Sequence, residues 1–99
     1  MPLAESDRFR RGRDLGCGYL LRQLRADGGF GERGLADYYK VPLALQVCGA
    51  TAEAARLLDW VRRKGVTPDG DFGPRIPETI GYYYLYYNAW VVIGAHRQG

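Results

Sequence analysis

A five-residue motif that occurs twice constrains the fold of this chain more than any other feature. Asp27-Gly28-Gly29-Phe30-Gly31 returns 42 residues later as Asp69-Gly70-Asp71-Phe72-Gly73. Each copy follows an amphipathic, arginine-rich segment and precedes a tyrosine pair, in Tyr38-Tyr39-Lys40 and in Tyr86-Tyr87-Asn88. A period of roughly 40 to 48 residues is typical of architectures built from repeated helical pairs. The sequence therefore predicts two helix–loop–helix units, at about 8–50 and 51–96.

The composition is that of a single globular domain. The chain has 99 residues, of which 46% are hydrophobic and 25% charged, so it is long enough to bury a modest core. No apolar run approaches the ~18 residues that a membrane-spanning helix needs. The N-terminal residues also lack the charged and apolar regions of a secretory signal. We therefore expect a cytoplasmic protein without a transmembrane segment.

The net charge of +3 does not form a stripe that would suit nucleic acid. Arginines cluster at positions 8, 10, 11 and 13, but acidic residues at positions 5, 7 and 14 flank them. This pattern is typical of a solvated helix face. Nucleic acid is accordingly not an expected partner.

The cysteines and the histidine predict no metal site. Cys17 and Cys48 are too few and too far apart for a disulfide scaffold, and their apolar surroundings predict buried free thiols. His96 is the only histidine, and one histidine with two distant cysteines does not make a zinc site. We predict no metal and no cofactor.

Apolar spacing predicts four helices. The predicted ranges are 8–25, 42–48, 52–64 and 79–96, with a kinked extension of the second helix back to Ala36 as an alternative. Pro42 suits a first helical position, and Thr51 suits an N-cap. The segment from Ile80 to Ile93 has the aromatic and β-branched composition of a strand, but its equivalence to residues 38–50 favours a helix. The predicted fold class is all-α.

Residues around the first motif resemble a known repeat. Gly18-Tyr19-Leu20-Leu21-Arg22-Gln23, followed by Asp27-Gly28-Gly29-Phe30, resembles the QW repeat of squalene–hopene and oxidosqualene cyclases. Phe30 stands where tryptophan is usual, and Gln23 falls one residue early. In the weaker second copy, Trp60 precedes Gly70-Asp71-Phe72 without an intervening glutamine. The β subunits of protein prenyltransferases share this helical-pair repeat. The structural repeat residues that it implies are Gln23, Gly28, Phe30, Trp60, Gly70 and Phe72.

The resemblance implies an (α/α) toroid, in which inner helices line a central cavity. A full toroid needs about five to seven helical pairs, so two pairs would be an incomplete toroid with an open flank. The resemblance thus implies the N-terminal part of a terpene-cyclase-like or prenyltransferase-like enzyme, such as a cyclase or isomerase, acting on an isoprenoid or similar hydrophobic small molecule. The remaining repeats would come from a longer chain or from a homo-oligomer.

The chain departs from both families at their catalytic motifs. It has no Asp-x-Asp-Asp motif, which supplies the acid in the cyclases, and no match to the zinc ligands of the prenyltransferases. We therefore expect a cavity wall without an identifiable catalytic acid. The alternative is a non-catalytic helical-repeat binding or scaffold module that self-associates.

The aromatic residues beside the second helices are the best binding candidates. Their rings would line an apolar cavity and stabilise a cation, or they would serve only as core and interface packing. Helix N-termini together with Lys40 would suit an anionic head such as pyrophosphate. Asp27, Asp69 and Asp71 are interpreted as turn residues, since the loops match neither a calcium nor a phosphate loop. The candidate substrate-binding residues are Tyr38, Tyr39, Lys40, Tyr86, Tyr87, Asn88 and Trp90.

Overall fold

The chain folds into helices joined by glycine-rich loops. A computed structural model describes residues 4–32, 34–70, 72–73 and 84–99. Throughout these residues the secondary structure is helical, without a strand, so the all-α prediction is confirmed. The elements are α1 (Glu5–Gln23), α2 (Leu35–Tyr38), α3 (Val41–Val47), α4 (Thr51–Trp60), a π-helical turn (Val61–Gly65) and α5 (Tyr84–Gln98).

The helix ends differ from the predicted ones in small ways. The helix is interrupted between α2 and α3, shortly before Pro42. A proline has no backbone N–H group to donate to the preceding turn, so a continuous helix would lose a hydrogen bond here. Helix α4 begins one residue before the predicted start, so Thr51 is its first residue and Ala50 is the N-cap, without a side-chain cap. The first part of the predicted helix at 79–96 lies outside the described residues, and α5 follows from Tyr84.

The core lies where α3 packs between α4 and α5. Its buried side chains come from all three of these helices, from α2 and from the π-helical turn. Burying one of its valine or leucine side chains stabilises the fold by about 1.5–3 kcal/mol relative to exposure. Helix α3 is therefore the central element, and α1 packs against its outer side. The buried core residues are Leu35, Tyr38, Val41, Leu45, Ala54, Leu57, Val61 and Val91.

The two motif loops adopt the same backbone turn. Leu24 pairs with Phe30 in an antiparallel arrangement, and Val66 pairs with Phe72 in the same way, 42 residues later. The Gly28 amide donates to the Arg25 carbonyl at 2.9 Å, and the Gly70 amide donates to the Thr67 carbonyl at 2.9 Å. Both glycines have positive φ, of 91° and 89°, which favours glycine at the fourth position of each turn. Phe30 and Phe72 are half-buried and pack against the core.

The prediction of free thiols is wrong, because Cys17 and Cys48 form a disulfide. Their Cα atoms lie 6.3 Å apart, which is within the range that a disulfide bridges. The bond joins the middle of α1 to the residue that follows α3. A separation of 31 residues in sequence concealed this contact, because it arises only when α1 packs on α3.

Apolar side chains stay exposed on the two terminal helices. Phe9 and Leu15 of α1 are 71% and 66% exposed, and Leu85 and Val92 of α5 are 79% and 54% exposed. No helix among the described residues is long and apolar enough to cross a membrane.

The two turn glycines provide a matched pair of substitutions. A Cβ at Gly28 would lie 2.8 Å from the Arg56 carbonyl oxygen, whereas a Cβ at Gly70 would meet no described atom within 4 Å. Gly70→Ala should destabilise the protein by about 1–2 kcal/mol, the cost of a positive φ for alanine. Gly28→Ala should cost clearly more, because the Arg56 backbone must also move. Urea unfolding of both variants measures this difference, and equal losses would contradict the packing of the first loop on α4.

Candidate functional site

The tyrosine pairs of the two units lie side by side. The rings of Tyr39 and Tyr87 meet edge to face, with centroids 4.3 Å apart. The ring of Tyr86 lies 6.0 Å from that of Tyr39 and 6.2 Å from that of Trp90, one helical turn further along α5. Residues 48 positions apart in sequence thus form one aromatic cluster at the N-terminal ends of α3 and α5.

Lys40 lies in the centre of this aromatic cluster. Its Nζ is 5.6 Å from the centroid of the Tyr39 ring, 5.7 Å from that of Tyr86 and 5.1 Å from that of Trp90. At these distances the negative face of each ring attracts the ammonium group. Lys40 itself is exposed, so an anion in solvent can still reach its ammonium group.

Lys40 and Tyr86 shift each other's pKa values. A hydrogen bond with the Tyr86 hydroxyl raises the pKa of Lys40, and this effect exceeds the opposing effect of desolvation. The same hydrogen bond, with a further one from Trp90, lowers the pKa of the Tyr86 phenol. Lys40 therefore remains a full positive charge at neutral pH.

Tyr38 and Asn88 lie beneath the cluster and hold the second loop. Tyr38 is fully buried, and its hydroxyl donates to the Gly73 carbonyl at 2.5 Å. This burial raises the pKa of the Tyr38 phenol. The Asn88 side-chain oxygen accepts the Phe72 amide at 2.8 Å. Tyr38 therefore presents no surface to a ligand, whereas the other six candidates are half-buried or exposed.

An apolar groove of about 410 Å³ runs between α1 and α3. Lys40 and Trp90 both line the groove. Gly12 and Gly16 of α1 have no side chains to fill the space beside the groove, and a Cβ at either position would meet nothing within 4 Å. Sequence reasoning did not identify this groove, because it depends on the position of α1. Its other lining residues are Arg13, Cys17, Leu20, Leu43, Ala44, Val47 and Cys48.

The predicted structural repeat residues lie away from this groove, and some of them pack where the first loop meets α4 and the core. Trp60 packs over the first loop, where a Cβ at Gly29 would come within 2.8 Å of its ring. The guanidinium of Arg25 lies 5.3 Å from the centroid of the Trp60 ring and donates to the Gly31 carbonyl. Phe30 and Phe72 contact the core, whereas Gln23 and Gly70 are exposed.

The carboxylates with shifted pKa values are poor candidates for a catalytic acid. The Gly29 amide donates to Asp27 at 2.8 Å, and this bond lowers the pKa of Asp27. Hydrogen bonds from Arg62 and Arg63 lower the pKa of Asp59. A general acid at neutral pH needs a raised pKa, so neither group suits protonation of a substrate. Asp71 lies outside the described residues.

A second, larger groove of about 560 Å³ lies between α4 and α5. Its charged residues are Asp59 and Arg62, which bond to each other at 2.8 Å. The cation that the described residues supply to this groove is therefore already paired with a carboxylate, whereas Lys40 has only aromatic partners in its own groove.

Comparison of the chain with protein-family models, curated proteins and solved structures gives no match.

The link between Lys40 and Tyr86 predicts a specific titration. Replacing Lys40 with glutamine removes the hydrogen-bonding cation, so the pKa of Tyr86 should rise toward its ordinary value. The ring resonances of Tyr86, followed by NMR through an alkaline titration, measure the shift. Lys64→Gln, which changes the only other lysine, should leave the Tyr86 titration unchanged. Identical Tyr86 titrations in the wild-type protein and in Lys40→Gln would contradict the contact.

Proposed function

We propose that this chain binds an amphiphilic small molecule of the isoprenoid type, with an anionic head and an apolar tail. The observation behind the proposal is that an exposed lysine, held by three aromatic rings, lines an apolar groove. In this proposal the chain forms one wall of a binding cavity and supplies no catalytic acid.

The groove has the size and chemistry of a site for an apolar chain. Its volume of about 410 Å³ lies within the range of small-molecule pockets, roughly 300–1,000 Å³. The wall from Gly12 to Leu20 extends for about 12 Å at the rise of an α-helix, which matches a short isoprenoid tail. Leu20, Leu43 and Val47 line it, and each methylene that they cover contributes about 0.8 kcal/mol.

Lys40 suits the anionic head because it is charged and already ordered. Its three ring contacts restrict the side chain before a ligand arrives, which reduces the entropic cost of binding. Lysine is also a common ligand for phosphate groups. Arg13, the other basic residue of the groove, is bonded to Asp14 at 3.0 Å, so its charge is partly neutralised.

The exposed flanks support a second part of the proposal, which is that further helical hairpins dock on α1 and α5. Phe9 and Leu15 on one terminal helix and Leu85 and Val92 on the other have the exposure of repeat faces without a neighbour. A longer chain or another copy would supply those hairpins and extend the helical pairs toward an (α/α) toroid. The recurring turns at Gly28 and Gly70 agree with such a repeat.

Three ligands separate the contributions of head and tail. We expect a prenyl diphosphate to bind more tightly, by isothermal titration calorimetry, than the matching prenyl alcohol or inorganic pyrophosphate. Lys40→Gln should weaken diphosphate binding about tenfold, equivalent to about 1.4 kcal/mol, and leave alcohol binding unchanged. Lys64→Gln is the matched control for charge. Equal losses in the two lysine variants would contradict the role of Lys40.

Two exposed valines test the groove in the same way. Val47 lies in the groove and is 62% exposed, so Val47→Asp should weaken both the alcohol and the diphosphate without unfolding the protein. Val66 is 44% exposed and lies outside both the groove and the two terminal helices, so Val66→Asp should leave both affinities unchanged. Unchanged binding in Val47→Asp would place the tail elsewhere and overturn the proposed site.

A further inference from the structure

We propose that the Cys17–Cys48 disulfide is a redox switch that holds α1 in place as one wall of the groove. Its effect on ligand binding rests on the function proposed above, whereas its effect on α1 does not. In the oxidised chain, α1 would stay beside α3 and the groove would be complete (the closed groove). In the reduced chain, α1 would move away and the groove would lose this wall (the open groove).

Cys17 marks the boundary between an exposed N-terminal part of α1 and a C-terminal part that packs against the core. The described residues on its N-terminal side, from Ala4 to Gly16, are all exposed, and no residue of α1 is buried. Beyond Cys17, Leu20 and Leu24 pack against the core and anchor the C-terminal part of the helix. The disulfide is therefore the attachment that keeps the preceding turns of α1 beside α3.

The sequence of α1 favours its release once the disulfide opens. Gly12, Gly16 and Gly18 lie within two turns of the helix, and each lowers helix stability relative to alanine. Gly12 and Gly16 belong to the groove wall. Without the covalent tether, packing contributes little to offset this low propensity, since the side chains of these turns remain in solvent.

The structure also offers a hydrogen-bond acceptor to one of the two thiols that reduction would form. The Cys48 Sγ lies 3.0 Å from the Ala44 carbonyl oxygen, so a Cys48 thiol has a hydrogen-bond acceptor within its own helix. Both cysteines are half-buried rather than fully enclosed, which leaves a path for an attacking thiolate.

The redox step needs a dithiol as its reductant. One thiolate of the dithiol attacks a cystine sulfur, the Cys17–Cys48 bond breaks, and the other cysteine leaves as a thiolate that takes up a proton. The second thiol of the dithiol then attacks the mixed disulfide and releases the remaining cysteine. Two electrons and two protons pass to the protein, and the dithiol becomes a disulfide. A reducing compartment would favour the open groove, and an oxidising one the closed groove.

Amide hydrogen exchange of the whole chain, with and without dithiothreitol, tests the switch. We expect amides of residues 13–19 to exchange at least about tenfold faster after reduction, because this part of α1 then unfolds locally. Amides of α4, at 51–60, should be unchanged. The double variant Cys17→Ser/Cys48→Ser should resemble the reduced protein and should not respond to dithiothreitol. Equal exchange of residues 13–19 in both redox states would overturn the proposal.

Calorimetry with the prenyl diphosphate, in the same two states, separates this proposal from the proposed function. Faster exchange together with a loss of affinity of about tenfold or more supports the switch as a regulator of the groove. Faster exchange with unchanged affinity overturns that regulation, while the ligand site stands. If the oxidised protein does not bind the prenyl diphosphate, the proposed function fails, and the exchange data alone then decide whether the disulfide holds α1.

Discussion

The fully buried side chain of Tyr38 fixes how residues 8–50 meet residues 51–96, the two predicted helical units. Its ring packs edge to face on Trp60, with centroids 5.9 Å apart, and its hydroxyl reaches the Gly73 carbonyl of the second loop. An unpaired phenol at this depth would cost about 1–3 kcal/mol, so the hydrogen bond specifies the position of that loop as well as stabilising it. Because Tyr38 belongs to the first unit and both of its partners to the second, this contact sets their relative position.

The aromatic cluster around Lys40 follows from that position. Once Tyr38 is buried against the second unit, the next residue, Tyr39, meets Tyr87 and Lys40 extends over Tyr86 and Trp90. Edge-to-face ring contacts and cation–π contacts both favour this arrangement, because the partly positive ring edges and the ammonium each meet the negative face of a neighbouring ring. The lysine stays partly hydrated, so its desolvation is small and the attractive contacts decide its position. One buried residue thus determines the geometry of an exposed site two residues further along the chain.

Local sequence patterns predicted much of the fold. Helix periodicity, Pro42 and the glycine turns depend on neighbouring residues, so they indicated the helices and both loops. The equivalence of the two tyrosine pairs correctly favoured a helix from Tyr84 onward over a strand. The disulfide and the groove were not predicted, because they depend on how α1 packs against α3. Two cysteines of this spacing are compatible with many arrangements, and no local pattern places Cys17 beside Cys48.

Nuclear Overhauser contacts test most directly whether Lys40 lies within the aromatic cluster. We expect contacts from the Lys40 side-chain methylenes to the rings of Tyr39, Tyr86 and Trp90, with the methylene resonances shifted upfield by the ring currents. Methylene resonances at ordinary lysine positions, without contacts to these rings, would contradict this position of Lys40.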